Sequence, residues 1–203
     1  MAAPHVQDWR DMPELELSPI LEAALDAFYE HGYHGASVRD VSNRVGLTIP
    51  SLYYHHQSKQ GLLFAVLERS IGSIIDRVEL AAEDGVTPTV RLSHVVEAIV
   101  LSMTILPRAS ALDASEARYL EGDYRSRYTE SQKRIEQILA GIVDDGNTAC
   151  EFSVDDVPET VRAILGMTQT IPRWYDRQGR FTPSETAERY ANLVLRLVGA
   201  QPN

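Results

Sequence analysis

Cysteine is nearly absent from this 203-residue chain, with Cys150 its single example. One thiol cannot close a bridge within the chain, so disulfide-stapled scaffolds are excluded and a reducing compartment is expected. Long apolar runs are missing too. The most apolar stretch, residues 95–106, is interrupted by Glu97 and is too short to span a bilayer. No basic-then-apolar leader opens the sequence. The expectation is a cytoplasmic protein with no membrane partner. Basic residues are scarce, 19 Lys/Arg against 29 Asp/Glu for a net charge of −10, which argues against tight non-specific nucleic-acid binding. Gly-rich phosphate loops, nucleophile elbows and paired-Cys zinc spacings do not occur. His55 and His56 are adjacent, which on a helix points them about 100° apart and disfavours shared ligation. His31 and His34 flank Gly32 without a third ligand. Neither an enzyme nor a cofactor or metal is expected.

One local scarcity runs the other way. After Asp40 no Asp or Glu occurs until Glu68. A phosphate-facing surface has to exclude carboxylates, because cations displacing counterions supply much of the affinity for DNA. Residues 1–60 nevertheless hold four Lys/Arg against eight Asp/Glu, a net of −4, and the remaining 143 residues net −6. The charge pattern supports a DNA contact locally and not globally.

Residues 37–59 read as two short helices around a tight turn at Gly46. Ser37 is a good N-cap, and Asp40 stands where acid favours a helix start. Val38, Val41 and Val45 form one apolar face, leaving Arg39 and Arg44 outside. Gly46 suits a left-handed helix stop. Thr48 caps the next helix, and Pro50 fits its first turn. Leu52 anchors that helix inward, so Thr48, Ile49, Ser51, Tyr53, Tyr54 and His55 remain available for a groove. This is the layout of a helix-turn-helix. On spacing alone, an ordinary helical hairpin in an acidic all-α protein would read the same way.

The stretch Gly-Tyr-His-Gly-Ala-Ser-Val-Arg-Asp-Val-Ser at 32–42, then Val-Gly-Leu, then Ser-Leu-Tyr-Tyr-His-His-Gln-Ser-Lys-Gln-Gly-Leu-Leu at 51–63, resembles the N-terminal domain of the tetracycline-repressor family. Residues 20–28 match that family's first helix, and their stripe is Ile20, Ala24, Ala27 and Phe28. The resemblance covers about residues 18–67. It implies phosphate contacts from Thr48, Tyr53, Lys59 and Ser37 with Arg39. It implies base-edge contacts from Ile49, Ser51, Tyr54 and His55. His56 stands where the family usually has Phe, Gln60 replaces a common acid, and Leu17-Ser18-Pro19 lacks the usual cation before the first helix. One of Tyr53 and Tyr54 is expected half-buried and the other exposed.

The remainder reads as helices throughout, giving an all-α fold. A long helix is predicted over about 60–83, another over 88–106 ended by Pro107, and a short segment at 113–120. A charge-rich helix follows over 122–143, closed by turn chemistry at 144–147. Next comes a helix over 158–175 kinked or stopped by Pro172. The last helix is opened by the capping box Thr182-Pro183-Ser184-Glu185 and striped by Tyr190, Leu193, Val194, Leu197 and Val198. The expected domains are a flexible arm at 1–16, a helix-turn-helix domain at 17–62, and an effector-binding and dimerisation domain at 63–203.

Apolar faces on the last two helices can close a four-helix bundle between two copies, which the family uses for homodimerisation, or can simply complete the monomer core. Leu101, Met103, Leu106, Tyr119, Tyr124, Tyr128, Met167 and Trp174 are candidate effector lining, with Arg118 as an anion anchor. Each serves equally as core or solvated helix face. Arg173-Trp174-Tyr175, Gly179-Arg180-Phe181-Thr182 and Glu116-Ala117-Arg118 are similar to tetracycline-repressor-type regulators that sense acyl-CoA esters. The expected function is a ligand-responsive, sequence-specific transcriptional regulator, a repressor released from a palindromic DNA operator by a small hydrophobic or amphipathic effector. The competing readings are a helical dimeric interaction protein that does not bind DNA, and an enzyme.

Overall fold

The computed structural model describes residues 8–11 and 15–200, and they contain helices and no strand. The helices are α1 (Pro19–Gly35), α2 (Val38–Arg44), α3 (Ile49–His55), α4 (Lys59–Asp84), α5 (Pro88–Ile105), α6 (Pro107–Glu116), α7 (Gly122–Thr148), α8 (Val157–Thr168), α9 (Ile171–Trp174) and α10 (Pro183–Leu197). They form two compact units. One contains residues 15–73 and 106–133, and the other contains 74–105 and 134–200 with the described residues 8–11.

In the first unit, Leu21, Ala24, Leu25, Ala27 and Phe28 of α1 are buried, as are Val41, Leu52, Leu62, Leu63, Leu67, Leu112 and Leu120. Each of the Leu, Val and Phe side chains among them contributes roughly 1.5–3 kcal/mol on removal from water, before entropy is charged against it. Ile20 is only half-buried, because the buried stripe of α1 is rotated toward Leu21 and Leu25. Pro107 does more than end α5. It occupies the first turn of α6, where its missing amide hydrogen costs no bond, so the helix begins well before 113 and continues into a 3-10 turn at Ala117–Tyr119.

In the second unit α5 is buried on nearly every side, from Leu92 through Thr104, and α10 packs along it. No single helix among the described residues is long and apolar enough to cross a membrane. The predicted turn at 144–147 is instead part of α7. Gly146 is glycine because the Phe152 ring occupies its side-chain space: a Cβ there would lie 2.0 Å from the ring. Asn147 uses its amide to pair with both backbone groups of Val154, at 2.9 and 3.0 Å. The actual stop is Cys150 at φ +58, with Glu151 N–H donating to Gly146 C=O (2.9 Å) and Cys150 N–H to Asn147 C=O (3.1 Å). Pro172 stands in the first turn of α9, after α8 has ended at Thr168, as its ring requires. The α10 stripe divides: Val194 and Val198 are buried, while Leu193 and Leu197 are 49% and 47% exposed.

Of the expected loose arm, residues 1–7 and 12–14 lie outside the described residues. Trp9 is not loose. It is 2% exposed, and its indole N–H donates to Asp84 at 3.0 Å.

Candidate nucleic-acid interface

The interface is built by caps. Ser37 accepts the Asp40 amide (3.1 Å) and donates to the Asp40 carboxylate (2.6 Å), which also takes the Ser37 amide (3.0 Å). These bonds hold the Asp40 carboxyl below its ordinary range. They also occupy the Ser37 hydroxyl that the sequence offers to phosphate. At the other end of α2, Gly46 takes φ +67, Gly46 N–H donates to Asn43 C=O (3.3 Å) and Leu47 N–H to Ser42 C=O (3.0 Å). That is a Schellman closure, which turns the chain sharply into α3. Thr48 then accepts the Ser51 amide at 3.3 Å.

Leu52 is fully buried and fixes the rotation of α3. Thr48 and His55 consequently face out, Ile49 and Ser51 are half-exposed, and Tyr53 and Tyr54 keep 43% and 87% of their surface. Neither tyrosine is a core aromatic. The Tyr54 and His55 rings stand edge to face at 5.6 Å. Arg39 is exposed at the start of α2. Arg44 grips Glu30 of α1 with two bonds, 3.2 and 2.5 Å, and so braces the helices. That hydrogen bond draws the Glu30 carboxyl below its usual value. Lys59 at the start of α4 donates to the His34 carbonyl (3.4 Å), with its ammonium 4.6 Å from the Tyr33 ring centre. Burial lowers its pKa. One outward-facing helix of seven residues, with no carboxylate on it, is the geometry that enters a major groove.

Residues 20–66 match the family described as bacterial regulatory proteins, tetR family, and residues 85–198 match the tetracyclin repressor-like C-terminal domain. The chain belongs to the tetracycline-repressor family. This family member is a helix-turn-helix transcriptional regulator, DNA-binding and ligand-responsive. It is 24% identical over 178 residues to the transcriptional repressor KstR2 of Rhodococcus jostii strain RHA1, covering 87% of each chain. A bacterial regulatory protein in the tetR family from Rhodococcus RHA1 superposes with a TM-score of 0.85 at 23% identity, covering 91% of this chain and 97% of that one. AibR, solved with isovaleryl coenzyme A and operator DNA, superposes with a TM-score of 0.78 at 23% identity over 86% and 95% of the two chains. The relatives are regulators by name, not enzymes.

The effector candidates of this tetracycline-repressor-family chain are dispersed. Leu101 and Met103 are buried in α5, Met167 is half-buried in α8, and Trp174 of α9 is 51% exposed, stacked on Tyr190 at 6.3 Å. The rest belong to the other unit. Leu106 is half-buried at the start of α6, and exposed Arg118 lies 4.9 Å from the Tyr119 ring. Tyr119 stacks on Tyr33 at 5.4 Å, Tyr124 packs on Phe64 at 4.9 Å, and buried Tyr128 donates to Asp113. Burial raises the Tyr128 phenol and the Asp113 carboxyl alike. A groove of about 480 Å³ between α7 and α8, floored by Ala140, Val161 and Leu165, contains none of the candidates. Sequence reasoning missed the role of Glu116, a buried carboxylate that accepts the Tyr33 amide at 2.7 Å. The sequence places Glu116 only within the Glu116-Ala117-Arg118 resemblance, and the glycine before Tyr33 is the one hint of this bond.

Proposed function

We propose that this regulator is a homodimeric repressor, released from a palindromic operator by a small amphipathic effector. The observation that carries it is α3, turned outward by Leu52 on a stretch without carboxylates between Asp40 and Glu68. On this reading Ser37, Arg39, Thr48, Tyr53 and Lys59 meet phosphates, while Ile49, Ser51, Tyr54 and His55 meet base edges. Because Ser37 is already engaged with Asp40, its contact runs through an exposed, shared hydroxyl.

Leu193 and Leu197, half-exposed and four residues apart on α10, support a two-fold partner, since a helix that buries one face and leaves leucines on another invites a second copy. Two heads about one DNA turn apart then read a palindrome. Effector contacts fall to Leu101, Met103, Met167 and Trp174. The exposed Trp174 plane shares residues 173–190 with Arg173, Arg177, Arg180 and Arg189, a combination suited to the nucleotide and phosphates of an acyl-CoA ester. AibR's isovaleryl coenzyme A supports that class. The effector acts by population shift, favouring a state whose heads no longer match successive major grooves.

Selection of bound duplexes from a random pool tests the core of this reading. Two symmetric half-sites support it, and recovery of no enriched duplex removes it. Acyl-CoA esters should then release the selected operator where free acids and coenzyme A alone do not. Equal effector affinity for free and operator-bound protein would rule out the population shift, because coupling is reciprocal.

A further inference from the structure

An α-helix cannot pass through Gly32 of α1, where φ is +65 and ψ 171. That region of backbone space is open to glycine almost alone. The break frees the amides of the turn that follows, and a shielded amide has to find an acceptor. Tyr33 finds Glu116. The carboxylate comes from the last residue of α6, is 9% exposed, and sits 2.7 Å from the Tyr33 nitrogen. A Cβ on Gly32 would stand 3.7 Å from this carboxylate, an ordinary contact, so the backbone angle and not space demands the glycine.

From the same joint a run of ring contacts leads to the DNA face. Tyr119, in the 3-10 turn after α6, stacks on Tyr33 at 5.4 Å with planes 16° apart, and it meets the His34 ring edge-on at 4.6 Å. The Lys59 ammonium lies 4.6 Å from the Tyr33 ring and donates to the His34 carbonyl. The Glu121 amide donates to Gln60, the next residue of α4, at 3.1 Å. A lysine on a four-carbon stem is otherwise free to wander, and immobilising it in advance reduces the entropy lost on binding.

We infer that Glu116 and Tyr119 are positioning residues of the DNA-reading apparatus: through the Gly32 break and the Tyr33 ring they hold Lys59 where a phosphate meets it, without touching DNA themselves. This rests on the phosphate role proposed for Lys59. It makes the end of α6, far along the chain from the helix-turn-helix, part of the determinants of operator affinity.

The test is a double-mutant cycle on the full-length protein with its selected operator, run as a salt series. Lys59→Met should weaken binding about tenfold and flatten the slope of log affinity against log salt by about one. Tyr119→Ala should weaken it roughly two- to fivefold with a flatter slope, and Tyr119→Phe, which keeps the ring, should restore both. The double variant should bind no worse than Lys59→Met alone, because the ring acts through the lysine. Glu116→Ala, or Glu116→Met if the alanine variant does not fold, removes the acceptor of the Tyr33 amide and should show the same non-additivity with Lys59→Met. Effects of Tyr119 and Lys59 that multiply, with the salt slope of Tyr119→Ala unaltered, would overturn the inference while leaving the DNA-binding reading intact. An unaltered Lys59→Met overturns the role of Lys59 itself, and the positioning role with it.

Discussion

The two compact units bury their helices in opposite ways. In the reading head, α2 and α3 have seven residues each, too few to persist alone in water, and they survive on caps, a Schellman turn and one apolar anchor apiece, Val41 and Leu52. In the other unit α5 runs for 18 residues with apolar side chains on nearly every side, so packing does what capping does in the head. A short capped helix leaves most of its side chains outside, free for a partner. A fully buried helix has no such surplus, and any effector it touches must share side chains with the core. The contrast explains why the DNA face is a compact set of neighbours while Leu101 and Met103, the effector candidates on α5, are also core residues.

The largest effects should come from removing the anchors. Leu52→Ala leaves a cavity at a fully buried position and should cost about 2–5 kcal/mol, with operator binding lost as the head loosens. Ile164→Ala, equally buried in α8, should cost a similar amount, yet binding should persist at temperatures where the folded state still dominates. Denaturant titration paired with operator binding checks both. If Ile164→Ala abolished binding without unfolding the chain, the distinction between the units would fail.

Two glycines sharpen the same contrast. Gly32→Ala should cost about 1–3 kcal/mol because its backbone angles exclude a side chain. Gly146→Ala should cost about as much, roughly 1–3 kcal/mol, because its Cβ would overlap the Phe152 ring. Trimming Phe152 to Ala should partly rescue the second by removing the overlap. No truncation of Glu116 should rescue the first, since the strain there is in the backbone. Thermal midpoints of the single and double variants decide this, and rescue of Gly32→Ala by Glu116→Ala would contradict the backbone argument.

A smaller effect concerns phosphate contacts. Tyr53→Phe removes one hydroxyl from an exposed position and should weaken operator binding several-fold, about 1 kcal/mol, with helical content unchanged. Tyr190→Phe, in the other unit, should leave operator affinity as it was. Binding measured by anisotropy separates the two outcomes, and equal losses would mean that the α3 face is not special.

What the sequence made legible follows this division. Ser37, Thr48, Thr182 and Gly46 mark ends that depend on neighbours within a few residues, and the structure places caps or a left-handed stop at each. Asp144-Asp145-Gly146-Asn147 misled because the glycine and asparagine answer to Phe152 and Val154, beyond the local window. Leu193 and Leu197 read like their buried neighbours because periodicity tells which residues share a face and not what covers that face. The bond that Glu116 makes was illegible, although the residue itself stood in the Glu116-Ala117-Arg118 resemblance. Its partner is the amide of Tyr33, 83 positions away, and a backbone amide leaves no mark in a sequence pattern.

His56 offers the finest test, because here the chain departs from its family. The residue caps the end of α3, half-buried, where the family usually has Phe. Burial, reinforced by the neighbouring His55, lowers its pKa below the ordinary 6.5. The unfolded chain therefore takes up a proton near the ordinary value while the folded head still resists it. Stability is complete above about pH 6.5 and declines as pH falls through that value toward the folded pKa, since the unfolded state then binds more protons. Phenylalanine at this position has nothing to titrate. The thermal midpoint of His56→Phe should exceed that of the parent by more at about pH 5.5 than at about pH 8, where the His56 imidazole is neutral in the folded and the unfolded chain alike. Titrating groups that do not interact with His56 are common to both proteins and cancel in the difference. A midpoint gap independent of pH would show that the imidazole is solvated in the folded head, and that α3 ends on a looser seat than the packing of Leu52 implies.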